Sequence, residues 1–168
     1  MRERILEVIE EHRVEFGFCS AASGSDIVFI ELLLERHADV HVFLPFPARD
    51  FCERSVGPAQ AWLARFDQVM KKLGPNRVTV LAERAPPNVE DAQPYVMCNE
   101  AIMRAAHDKA QELATSPFLI VVLASTAEVT KPDAGGAAHA VQAWLARGEK
   151  AVVKVDPAAA PPATSTPA

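Results

Sequence analysis

Residues 14–45, VEFGFCSAASGSDIVFIELLLERHADVHVFLP, constrain this chain more than any other stretch. An apolar run, a loop of small residues, an apolar helix pattern and a second apolar run follow one another within roughly thirty residues, the length at which a helix can join two parallel strands. Residues 14–19 alternate imperfectly, as a strand covered on both faces does. The loop 20–26 is built of Ser, Ala and one Gly, and Ser25 or Asp26 is placed to cap a helix over 27–37. A second strand over 40–44 stops at Pro45 and Pro47.

The same alternation runs through the rest of the chain. An amphipathic helix over 2–13 groups Ile5, Leu6, Val8 and Ile9 on one side. Helical pieces over 48–54 and 58–73 follow, the second closed by Gly74 and Pro75. A third strand over 77–81, a loop over 85–93 and a helix over 95–114 lead to 118–124. That segment, FLIVVLA, is the most apolar and is the best candidate for a central strand. A loop holding Pro132, Gly135 and Gly136, a helix over 137–147 and a strand over 151–155 complete the pattern.

Five short strands separated by helices predict a doubly wound, mainly parallel five-stranded Rossmann-like α/β sheet, with strand order 3-2-1-4-5 by analogy with other open sheets. Residues 1–156 form one domain on this reading, and the Pro/Ala-rich stretch 157–168 is a disordered linker or tail. The strand order reverses between the first and fourth strands, and ligands bind outside the carboxyl ends of strands at such a reversal. The loops 20–26 and 125–136 would meet there.

Composition narrows the function. A net charge of -5, with acids and bases mixed along the 168 residues, offers no basic stripe and points away from nucleic acid. Cys19, Cys52 and Cys98 are widely spaced in apolar surroundings, as reduced core thiols of a cytoplasmic protein would be, and no spacing suggests zinc or another metal. His37 and His41 lack a third ligand nearby. The charged start carries no signal peptide, and the longest apolar run, 27–34, is too short to span a bilayer. No cofactor is called for.

The candidate ligand residues follow from the crevice. Ser20, Ser23, Gly24, Ser25 and Asp26 combine hydroxyl donors with a flexible point before a helix N-terminus, where free N–H groups favour an anion. This is neither a GxGxxG fingerprint nor a Walker loop, and a capped strand-to-helix turn accounts for the same residues. Gly135 and Gly136 permit close backbone approach at the start of another helix. Asn99 and Glu100 face either the crevice or water, as does Glu31. His139 has no partner base, so no catalytic residue is assigned. Arg49, Arg65 and Arg104 are the isolated cations able to neutralise a phosphate, and Trp62 and Phe66 read as core.

The segment SAASGSDIVFIELLLERHADVHVFLPF, with SVGPAQAWLARFDQV, YVMCNEAIM and PDAGGAAHAVQAWLARG, resembles the SLOG-like Rossmann-type domains attached to bacterial TPR and nucleotide-cyclase signalling proteins. The resemblance implies a nucleotide or nucleotide-derived ligand, a sensor role, and a fused or associated effector domain or second copy that reads the occupancy. Related phosphoribohydrolases carry P-G-G-x-G-T-x-E-E. Here the run from Pro132 to His139 keeps the glycines and lacks the Thr and Glu, and Glu100 stands where relatives often have Arg. An N-glycoside hydrolase acting on a nucleoside monophosphate, with Asp26, Glu31, Glu100 or His139 as acid or base, is the alternative. A structural scaffold without ligand is the second.

Overall fold

The computed structural model describes residues 1–123, 135–149 and 151–158. Helix α1 (Arg2–Glu11) leads into β1 (Phe16–Cys19), α2 (Ser25–Glu35) and β2 (Asp39–Leu44). Helix α3 (Ala48–Phe51) runs on into a π-helical turn, Cys52–Val56, followed by α4 (Gln60–Leu73) and β3 (Val78–Val80). Helix α5 (Gln93–Glu112), β4 (Leu119–Val122), α6 (Ala137–Ala146) and β5 (Val152–Val155) complete the described elements. Residues 159–168 of the expected tail, 125–134 of the expected second loop and residue 124 at the end of the expected fourth strand lie outside the described residues.

Every strand pairing is parallel, as crossover helices require. The expectation of a single five-stranded sheet is corrected: among the described residues β1, β2 and β3 form one sheet in that order, and β4 pairs with β5 alone. The pairings 3-2-1 and 4-5 are present, whereas β1 and β4 do not pair with each other. A cavity of about 540 Å³ lies between them, lined by both strands. The expectation that 118–124 forms a central strand fails for the same reason. With one strand neighbour among the described residues, β4 leaves Leu119, Ile120 and Val122 half-buried and covers only Val121 fully.

The densest core lies around β2 and α2. Val40, Val42 and Leu44 are fully buried and alternate with half-buried Asp39, His41 and Phe43, the period-two pattern of a strand between two neighbours. Helix α2 buries Ile27, Val28, Ile30, Leu32 and Leu33, so it is apolar around most of its circumference and is covered accordingly. Ion pairs fix α1 against α2 at their rims, Arg2 to Glu35 at 2.5 Å and Arg36 to Glu10.

Side-chain alternation along β1 separates the two helix layers. A Cβ on Gly17 would lie 2.2 Å from Leu33 and 3.0 Å from Phe29, so that face of β1 rests directly on α2. The neighbouring Phe16 ring receives the Lys109 ammonium of α5 at 5.3 Å. Helices α2 and α5 therefore cover opposite faces of β1.

Candidate functional site

The carboxyl end of β1 opens into the loop expected to hold a ligand. Gly24 caps α2 at φ 101, a conformation that side chains with a Cβ rarely adopt, and this lets the chain turn sharply from strand to helix. The Ala22 N–H donates to Asp26 Oδ2 at 3.2 Å. Ser23 turns the other way: its N–H and its hydroxyl both donate to the Ser55 carbonyl, at 3.1 and 3.3 Å. Ser55 lies in the π-helical turn, and its Oγ stands 3.2 Å from the Tyr95 hydroxyl.

Tyr95 starts a second set of contacts. Its ring meets Phe46 edge-on with centroids 5.7 Å apart, which fixes the start of α5 over the end of β2. A Cβ on Gly135 would lie 2.5 Å from Tyr95 Cβ, so only glycine admits this close approach. Four residues along α5, Asn99 Nδ2 donates to the Gly135 carbonyl at 2.9 Å. Gly136 then caps α6. Hydrogen bonds thus link Ser23, Ser55 and Tyr95 on one side and Asn99 with Gly135 on the other, and the close packing of Gly135 on Tyr95 Cβ joins the two sets.

Beneath these contacts sits an acid–thiol cluster. Asp26 is half-buried and lines the cavity, and loss of hydration pushes its carboxyl up to about 6 while the Ala22 N–H pulls the other way. Among the described residues no cation is paired with it. Burial, with Asp26 nearby, pushes the Cys19 thiol well up, and the same causes push Cys98 up to about 12 despite a hydrogen bond with Ser20. Both are neutral thiols at physiological pH, and Cys98 donates to the Phe43 carbonyl at 3.4 Å. The cluster can accept hydroxyl protons at Asp26, and it supplies no thiolate nucleophile.

Of the expected residues, Ser23 is linked to Gly135 through Ser55 and Tyr95, Ser20 meets Cys98 and Asn99 meets Gly135, while Ser25 and Asp26 lie at one end of the cavity. Two expected residues stand apart. Glu31 is held by Arg65 through two bonds of 2.8 and 2.6 Å and approached by Arg2 at 3.5 Å. That pairing holds its carboxyl below the usual range and joins α2 to α4 and α1, so Glu31 serves the outer helix layer rather than the crevice. Glu100 is exposed on α5. Of the expected phosphate partners, Arg65 is taken by Glu31 and lies 4.3 Å over the Trp62 ring, and Arg49 pairs with the exposed Glu53.

Sequence reasoning missed Ser55, Tyr95 and Arg54. Arg54 lies over the Phe46 ring at 5.2 Å and donates from Nη2 to the Pro86 carbonyl at 2.8 Å. Its Nη1 is enclosed without a hydrogen-bond partner among the described residues. The signal available in the sequence was the short RSVG run before Pro58, whose turn brings both residues back over the end of the sheet.

Among the described residues no group of three or more His, Cys, Asp or Glu side chains is arranged to hold a metal ion, and no helix is long and apolar enough to cross a membrane. Comparison with protein-family models, with curated proteins and with solved structures returned no match.

Proposed function

We propose that this is a Rossmann-like, SLOG-type domain that binds a nucleotide or nucleotide-derived ligand over the carboxyl ends of β1 and β4. It would pass the occupancy to an effector domain or a second subunit. The observation that supports the reading is the run of contacts from Ser23 through Ser55 and Tyr95 to Gly135, which Asn99 also holds, so that the 20–26 loop and the start of α6 are tied to the same end of α5. Open α/β sheets bind ligands at this position.

The electrostatics divide the ligand between the two loops. Above pH 6 the Asp26 carboxylate repels phosphate and accepts hydroxyls, so ribose belongs beside Asp26. Phosphate belongs at Gly135 and Gly136, because the N–H groups of a helix's first turn have no partner within the helix and point towards an anion. The neutral thiols of Cys19 and Cys98 make an apolar floor.

A thermal-shift series with nucleotides, dinucleotides and nicotinamide-derived compounds tests this. A ligand at one hundred times its dissociation constant stabilises the fold by roughly 2.7 kcal/mol, an easily read shift. The bound ligand should also slow amide exchange in 20–26. A folded protein that no compound shifts and whose loop stays unprotected refutes the reading.

One observation favours a second reading. A carboxyl near 6 in a crevice is the kind of group that exchanges protons at neutral pH, which would suit hydrolysis of a nucleoside monophosphate. Release of free base on incubation with nucleotides, abolished in Asp26→Asn, would establish the enzyme over the sensor.

A further inference from the structure

The cavity between β1 and β4 carries an inference separate from the nucleotide reading, because its long walls are two open strand edges. The Glu15 carbonyl accepts from Asp39 N–H, so the ladder to β2 engages alternate residues of β1 starting from Glu15. In a parallel ladder the residues between them turn their N–H and C=O to the opposite side, and in β1 these are Phe16 and Phe18. The N–H groups of Leu119 and Leu123 donate to Ala151 and Val155 on β5, which likewise turns Ile120 and Val122 away from β5. Phe16, Phe18, Ile120 and Val122 all line the cavity. Among the described residues their N–H groups have no hydrogen-bond partner.

Buried backbone polar groups left unpaired are costly, and a purely apolar molecule would leave all of them so. An extended polypeptide presents alternating N–H and C=O groups to both sides and satisfies the two edges at once. At the spacings of packed sheets an extended residue fills about 160 Å³, so the cavity of about 540 Å³ holds roughly three or four.

Charge fixes the ends. Arg13 lies where β1 begins, with no ion-pair partner among the described residues, and the unpaired Asp26 lies where it ends. Glu15 also lines the cavity at the Arg13 end and moderates that charge.

We propose that this slot binds a short extended segment of another polypeptide, inserted parallel to β1 and β4, with an acidic side chain at the Arg13 end and a basic one at the Asp26 end. The insertion would join the two sheets into one ladder. Small Ala106 and Ala110 on the α5 side admit branched side chains, whereas Ile5 and Phe29 on the other side leave room only for small ones.

The test is residue-resolved amide exchange on the wild-type chain with two blocked peptides of opposite phase, acetyl-Glu-Val-Ala-Val-Ala-Lys-amide and acetyl-Glu-Ala-Val-Ala-Val-Lys-amide, each at millimolar concentration. The control is the same pair N-methylated at alternate residues. One phase should slow exchange at Phe16, Phe18, Ile120 and Val122 by about tenfold or more, the protection expected of new ladder bonds, while its methylated form does nothing. Three results overturn the proposal: the four N–H groups are already protected in the free protein, neither phase protects them, or the methylated peptides protect equally well. A nucleotide that protects 20–26 but not these four N–H groups leaves the first reading standing and bears only on it.

Discussion

The two sheets of this molecule are made of similar residues and are covered very differently. In β2 three apolar residues are fully buried, whereas the four apolar residues of β4 contribute only Val121 to the fully buried core. The difference is lateral. Among the described residues β2 has a strand on each side and β4 has one, so the other edge of β4 faces the cavity. Hydrophobicity sets the tendency to be covered, but the number of neighbours sets the outcome.

The contrast predicts a large asymmetry in stability. Leu33→Ala, at a fully buried position packed on β1, should lower the unfolding free energy by about 3–5 kcal/mol, against about 1–2 kcal/mol for Ile120→Ala beside the cavity. Urea unfolding measures both, and equal losses would mean that β4 is as well covered as β2.

Next in size is a pH effect at the boundary between the halves. The Asp26 carboxyl is raised from 3.8 to about 6, which at 1.36 kcal/mol per unit makes its ionised form cost about 3 kcal/mol. The cost is absent below pH 3.8, grows between 3.8 and 6, and is complete above 6. Asp26→Asn should therefore raise the melting temperature at pH 7.5 and leave it nearly unchanged at pH 4. No difference between the two pH values would place Asp26 in water.

Gly17→Ala should follow, with a loss of about 1–3 kcal/mol, since the new methyl meets Leu33 at 2.2 Å. The double variant Gly17→Ala/Leu33→Ala should be less damaged than the two losses together imply, because the removed leucine methyls are what the new methyl strikes. Strict additivity would show that the two positions do not touch.

The smallest effect is at the outer layer. Glu31→Gln should cost about 0.5–1 kcal/mol, as a partly exposed ion pair does. Here the sign opposes that of Asp26. Glu31 is held below its usual 4.5, so its contribution is present above that value and is lost as the pH falls further. Asp26 carries the larger effect, so the two carboxylates together make stability fall as the pH rises from 3.8 to 6.

These contrasts also mark what the sequence could reveal. Most described helices and strands are anticipated to within about two residues, because apolar periodicity, prolines and glycines act locally, whereas the π-helical turn at 52–56 and the short helical turn at 75–77 are not. The missing β1–β4 pairing is not legible, since it depends on what lies between two segments some hundred residues apart in sequence. In the site, Ser20 to Asp26 and Gly135 follow from loop chemistry. Ser55 and Tyr95 do not, because their meeting depends on the path of the π-helical turn. Glu31 misled because a carboxylate on an apolar helix has several faces open to it, and its partner Arg65 lies thirty-four positions away.

The recessed position of the open edges bears on how the protein behaves in concentrated solution. Unpaired strand edges usually invite copies of a chain to stack edge to edge. Here α1 and α2 lie over one side of the opening and α5 over the other, so a neighbouring sheet, which carries its own helices, cannot approach. Only a bare, unaccompanied strand is thin enough to enter. The same geometry that leaves two ladders unfinished thus acts as a filter against self-stacking.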